Sequence, residues 1–239
     1  MKKLLLLVLA ASLIFSAGAY GFTTFPSPTI NGATGLVRVP SADILPYKNF
    51  AIGVDYGSNS MAQRESLYYK VNIGAFNNIE MGVVGGYDQT NNTSTLREGV
   101  FVNLKLSLST DDSSYPLLLA LGAENLASFT QAGVYMVATK YMKQGFKLTF
   151  GFLADFPANK FRPMGVAGLE FPMMDDHLVL LCDGMAGETI AQVDAGIRIY
   201  FVPWFAITGS ALNIFQDQNN PQGKDPKSYL VGFSWVNPF

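Results

Sequence analysis

Large apolar residues fall at every second position through most of the chain. In FAIGVDYG, Phe50, Ile52, Val54 and Tyr56 alternate with Ala51, Gly53, Asp55 and Gly57. In LYYKVNIGAF, Leu67, Tyr69, Val71 and Ile73 oppose Tyr68, Lys70, Asn72 and Gly74. The same rhythm sets Val102, Leu104, Leu106 and Leu108 against Asn103, Lys105 and Ser107. It recurs with Phe146, Leu148, Phe150 and Phe152 against Lys147, Thr149, Gly151 and Asp155. It recurs again with Val193, Ala195, Ile197, Ile199 and Phe201 against Asp194, Gly196, Arg198 and Tyr200. A period of two is the signature of a strand, and no comparable helical period is present.

The second face identifies the kind of strand. It mixes glycine with single charges: Asp55, Lys70, Lys105, Lys147, Asp155, Asp194 and Arg198. Apolar residues turned to lipid, alternating with small or polar residues turned to a lumen, are the pattern of a transmembrane barrel. A soluble sandwich also alternates, with its apolar face inward. Its solvent face carries less glycine and its buried face is less uniformly aromatic, so the sandwich is the weaker structural alternative. Strong strands are expected over 49–57, 66–76, 99–108, 145–155, 190–201 and 229–239. Weaker ones are expected over 79–87, 116–124, 131–141, 163–171, 178–183 and 204–212. The total is about twelve, with ten to fourteen compatible, in one all-β antiparallel barrel. With both termini placed in the periplasm, the longer connections fall on the outer side, as bacterial barrels require.

The two ends of the chain read differently. Lys2 and Lys3 precede an apolar run from Leu4 to Phe15, and Ala17-Gly18-Ala19 has the small-x-small form of a signal-peptide cleavage site. Residues 1–19 are therefore expected to be removed after Ala19, and the run is shorter than the ~20 residues of a spanning helix. Residues 20–48 are dense in proline (Pro26, Pro28, Pro40, Pro46), and only Gly35–Val39 reads as a short strand. This segment is expected to be ordered, at the periplasmic rim or in the lumen, with residues 49–239 forming the barrel. At the other end Tyr229, Val231, Phe233, Trp235 and Phe239 share one parity. That alternation to a terminal phenylalanine resembles the signal by which the barrel-assembly machinery recognises its substrates, a strand edge with ordered side chains.

Composition removes other classes. The formal charge is −2 and only 14% of residues are charged, against a typical ~25% in soluble domains. No basic face suggests nucleic acid. The lone Cys182 forms no internal disulfide and reads as an apolar strand residue. Beyond the leader no apolar run approaches the ~20 residues of a spanning helix. A mature chain that enters a membrane must then do so as a closed barrel, since lipid offers nothing to unpaired backbone groups.

The stretch GATGLVRVPSADILP resembles the opening motif of the YjbH-like family, outer-membrane proteins associated with exopolysaccharide and capsule production. The matching residues are Gly32, Thr34, Gly35, Leu36, Pro40, Ser41, Ala42, Leu45 and Pro46, followed by the strand FAIGVDYG. The remainder matches only in barrel character. Family members are typically longer, and often carry a lipid-attachment cysteine that is absent here. The resemblance implies a porin-like barrel in a Gram-negative envelope, with polysaccharide-export components as partners. It supplies no catalytic residue.

Enzymatic chemistry finds little purchase. The single histidine, His177, lies beside Asp175 and Asp176 in MMDDHLV. A triad needs a serine within hydrogen-bond reach and an oriented base, and no G-x-S-x-G occurs. The pairs Asp111-Asp112 and Asp175-Asp176 read as solvated turns, and one cysteine with one histidine makes no zinc site. No cofactor is expected. Trp204, Trp235, Tyr56, Tyr87, Tyr141 and Tyr229 are candidates for interfacial girdles, while Tyr68 and Tyr200 fall on the lumen parity. The reading is a non-enzymatic outer-membrane barrel, in contact with lipid and assisting exopolysaccharide export or envelope organisation. A passive small-solute pore is the first alternative, and a membrane-embedded hydrolase or acyltransferase the second.

Overall fold

The structure, a computed structural model, describes residues 24–59, 64–88, 100–109, 114, 116–126, 132–143, 145–156, 160–188, 191–216 and 227–237. The expected leader, Asp111-Asp112 and the terminal Phe239 lie outside the described residues. Twelve strands follow one another: β1 (Phe50–Asn59), β2 (Arg64–Phe76), β3 (Ile79–Asp88), β4 (Phe101–Ser107), β5 (Leu117–Leu126), β6 (Gly133–Tyr141), β7 (Lys147–Asp155), β8 (Arg162–Met173), β9 (Leu178–Gly187), β10 (Ala191–Val202), β11 (Phe205–Gln216) and β12 (Ser228–Asn237). Each pairs antiparallel with its chain neighbours, and β12 returns to β1, so the sheet closes. The closing seam runs from Phe50↔Asn237 to Ser58↔Tyr229. Closure matters physically because it leaves no unpaired strand edge for lipid to face. Phe50 and Trp235 meet edge to face across the seam, with centroids 5.4 Å apart.

The alternation becomes two surfaces. Ile52, Val54 and Tyr56 of β1, and Tyr229, Val231, Phe233 and Trp235 of β12, point outward and are exposed. Ala51, Lys70, Lys105, Asp194 and Leu230 point inward and are buried. An apolar exterior around a polar, charge-bearing interior is the inverse of a soluble sandwich and suits lipid.

Several details differ from the sequence reading, among them β11, which runs to Gln216, four residues past its expected end at 212. β9 is a full-length strand to Gly187, four residues past the expected end at Asp183, because Asp183, Gly184 and Met185 continue the ladder to β10. Gly35–Val39 is not a strand. Gly35 and Pro40 form an isolated bridge across a bend in which the Leu36 amide donates to the Val39 carbonyl. Tyr141 does not join an outer girdle. Its hydroxyl turns inward to a carboxylate of residue 43. The side chain of Tyr87 lies outside the described residues.

Of the four irregularities in the wall's ladders among the described residues, two fall at Asn125 in β5 and Asn213 in β11. Both asparagines have left-handed backbones (φ 54° and 55°), a conformation asparagine tolerates better than most residues. A bulge frees an amide from the ladder. Here the Asn125 amide donates to Asn103 Oδ1 at 2.9 Å and the Asn213 amide to Asp194 Oδ1 at 2.7 Å.

The core lies inside the barrel. Residues 24–49 fold back on themselves within it and join three apolar clusters, one of them Leu45 with Ala51 and Val236. Val37 joins Tyr68, Val84, Phe101, Leu181 and Leu230 on one side. Val39 and Ala42 join Tyr135, Val137, Leu153 and Val166 on the other.

Candidate functional site

The lumen and the segment that fills it form the site. Proline and glycine shape the segment. The Thr29 amide donates to the Ala33 carbonyl, that of Ile30 to Val37 and that of Gly35 to Ser27, knitting a compact hairpin without regular structure. Gly35 has no room for a side chain: a Cβ there would lie 2.5 Å from the Val39 carbonyl oxygen and 2.7 Å from Pro40 Cα. Gly32 is left-handed (φ 102°), and its Cβ would meet Asn103 Nδ2. Leu36, Val39 and Leu45 are fully buried, at 1%, 0% and 0% exposure. Burial on that scale contributes roughly 1.5–3 kcal/mol per side chain.

The wall holds this hairpin mainly by its backbone. Two carboxylates receive its amides. Asp183 Oδ2 accepts from the amides of Val37, Arg38 and Val39 at 2.9, 2.8 and 2.9 Å. Glu80 accepts from the Thr34 amide and hydroxyl and from the Leu45 amide, at 2.9, 2.7 and 3.1 Å. Three cations take its carbonyls. Lys70 Nζ donates to Thr29 O at 2.8 Å. Lys105 Nζ donates to Thr34 O, Thr34 Oγ1 and Asp43 O at 2.7, 2.6 and 2.8 Å, using all three of its protons. Arg198 Nη2 donates to Gly35 O and Leu36 O at 3.2 and 3.1 Å. Amides add to this: Asn72 Nδ2 donates to Gly32 O at 2.5 Å, and Asn103 Nδ2 to Asn31 O at 2.7 Å. The bonds made by Asp183, Glu80, Lys70, Lys105 and Arg198 are charge-assisted and worth about 1.5–3 kcal/mol each, more than the neutral ones of Asn72 and Asn103.

Two ion pairs join side chain to side chain. Arg38 Nε meets Asp194 Oδ2 at 3.0 Å, and Lys147 Nζ meets Asp43 Oδ2 at 2.9 Å. Tyr141 donates a further bond to Asp43 Oδ1 at 2.5 Å. Burial on its own would push the Asp43 carboxyl up. The Lys147 charge and the Tyr141 hydroxyl outweigh it and hold Asp43 below the ordinary carboxylate value.

The seven lumen candidates thus fall into two groups. Lys70, Lys105, Lys147, Asp194 and Arg198 bind the hairpin directly. Asp55 pairs with Lys70, and Asp155 with Arg162, wall to wall. All the YjbH-like motif residues named above belong to the hairpin; Thr34, Leu36, Ser41, Ala42 and Leu45 are buried in it, and Pro46 is exposed where it leaves the lumen. The Ala42 amide donates to Thr139 Oγ1 at 2.8 Å. His177 sits in the turn between β8 and β9, its Nδ1 3.0 Å from the Tyr200 carbonyl.

Sequence reading passed over Glu80 and Asp183, the two carboxylates that receive most. Glu80 shares its parity with Gly82 and Val84 in IEMGVVGG, a legible if isolated signal. Asp183 stands at the expected end of its strand, 178–183, where the alternation assigns it no face.

A cavity of about 20 Å³ lies between Lys70, Arg198, Thr208, Ser210 and the hairpin. That is room on the order of one water.

Closed, lipid-suited outside, charged inside and filled by its own chain, the molecule is a twelve-stranded β-barrel of the outer-membrane type. Among solved structures it is similar to one described as a KdgM porin, with a TM-score of 0.56 over 77% of this chain and 98% of that chain, at 7% sequence identity. At that identity the likeness is one of fold. No family model matches the chain, and no curated protein matches it.

Proposed function

We propose that this chain is a non-enzymatic outer-membrane barrel whose resting state is closed by its own N-terminal hairpin. The observation that carries the reading is the occupied lumen: wall charges from Asp183, Lys105 and Arg198 spend themselves on the hairpin's backbone. A passive small-solute pore draws support from the fold it shares with a porin, but free diffusion needs a lumen that is open at rest. The hydrolase reading has only His177, whose ring serves a turn. Planar-bilayer recording tests the proposal. The intact chain is expected to stay silent, and a chain lacking residues 24–46 that retains heat-modifiable migration is expected to conduct. Steady unit steps from the intact chain would sink the closed-barrel reading.

A finer role, in exopolysaccharide export or envelope organisation, rests on the GATGLVRVPSADILP resemblance. What favours it is that the motif residues build the hairpin and its exit rather than lying scattered over the wall. Surface polysaccharide should fall when the gene is deleted and return with the intact chain; an unchanged surface would remove this role.

A further inference from the structure

The hairpin enters and leaves by one mouth. At its start the Phe25 amide donates to the carbonyl of Pro203, in the turn between β10 and β11. At its end the Lys48 amide donates to the Gly74 carbonyl and the Gly74 amide to Asn49, just before β1 begins. Both contacts lie at the end of the barrel where β2 turns into β3 and β10 into β11. Its tip reaches towards the opposite end, where Asn31 Nδ2 donates to Glu124 Oε1 at 3.2 Å near the end of β5. A segment inserted in this way leaves without threading any part of the chain through the barrel.

Its fastenings suit departure. Most are wall groups bound to backbone amides and carbonyls; once the lumen fills, those amides donate to water and those carbonyls accept from it. The wall itself does not depend on the hairpin for its strand ladder, which is complete around the ring. Of the two ion pairs that hold the hairpin, one is nearer the solvent, at the mouth: Lys147 and Asp43 are 25% and 10% exposed, against 18% and 1% for Arg38 and Asp194.

We propose that residues 24–49 form a withdrawable plug, latched at its mouth by Asp43, Lys147 and Tyr141, so that the barrel is gated from the side on which the chain upstream of Phe25 is attached. Loss of the latch lets the hairpin swing out around its two ends and opens the lumen. The proposal rests on the closed-barrel reading, and its test separates the two.

The experiment uses the full chain with Cys182→Ser and Ser41→Cys, a reporter position that is 1% exposed in the plug, labelled with a membrane-impermeant maleimide. Conductance is recorded in parallel. Lys147→Met should raise both the labelling rate and the open probability by about tenfold or more, the effect expected from losing one charge-assisted contact. Tyr141→Phe, which deletes a single hydroxyl, should raise them by a smaller factor, and serves if Lys147→Met loses heat-modifiable migration. An oxidised Ala42→Cys/Thr139→Cys pair should silence the Lys147→Met channel, and reduction should restore it. A closed and unlabelled latch variant that is properly folded overturns the withdrawal while leaving the closed barrel standing. A parent chain that conducts and labels freely overturns the closed barrel itself.

Discussion

Asp183 shows how much one lumen side chain carries. A single carboxylate oxygen receives three consecutive amides, of residues that have no strand partner to satisfy them. Unsatisfied buried amides are costly, so Asp183→Ala should destabilise the seated hairpin by roughly 3 kcal/mol or more. The check is chaotrope-dependent exposure of a cysteine placed in the hairpin, with the barrel's own unfolding midpoint nearly unmoved. Asp183 also stands directly opposite Asp194 across the β9–β10 ladder. Like charges so placed repel, and the hairpin relieves the pair by giving backbone amides to one and Arg38 to the other. Gly35 works by what it lacks. Gly35→Ala drives a methyl into the Val39 carbonyl and the Pro40 backbone, an overpacking that costs about 1–3 kcal/mol. The expected result is an intact, heat-modifiable barrel with a leaky lumen; a silent Gly35→Ala barrel would show that the close approach at this position is not required.

At the scale of the element, the strands were the legible part. Alternation in β1, β2, β7, β10 and β12 marks both the strand and the face, because lipid and lumen impose opposite chemistry on neighbouring residues. It fails where the lumen face is itself apolar. In β9, Val179 and Leu181 turn inward against the hairpin, so LVLLC loses its contrast and the pattern marks only part of the strand. The lumen charges Lys70, Lys105, Lys147, Asp194 and Arg198 were legible as inward-facing, but their partners were not, since backbone amides and carbonyls leave no mark on a sequence. The hairpin itself announced only its proline content. Its fold depends on carboxylates contributed from Glu80 and Asp183, up to 146 positions away. β12 offers a test of the outward face. Phe233 lies opposite Val54 on the closing seam with its ring exposed. Phe233→Arg should lower the stability of the barrel in lipid vesicles by about 2–4 kcal/mol if it sits near the midplane. Equal stability of the two proteins would place this stripe against something other than hydrocarbon.

For the whole molecule, the ring and its filling have separate causes. The ring is held by an unbroken antiparallel ladder that lipid leaves no alternative to. The filling is held by charge, hydrogen bonds and the deeply buried apolar side chains, Leu36, Val37, Val39 and Leu45 among them, of a segment that belongs to no strand. A twelve-stranded ring encloses more room than the eight-stranded barrels whose side chains fill them unaided, and this chain fills the surplus with its own N-terminal hairpin. That division explains why a porin-like fold need not behave as an open porin. The hairpin's place in the lumen is the feature on which closure depends. In a Cys182→Ser background, Ala42→Cys should form a disulfide with Thr139→Cys, because the Ala42 amide touches that side chain. It should not form one with Ala138→Cys, one residue away on the outward face of β6. Cross-linking to 139 alone is the predicted result, and cross-linking to neither, or to 138, would contradict a plugged barrel.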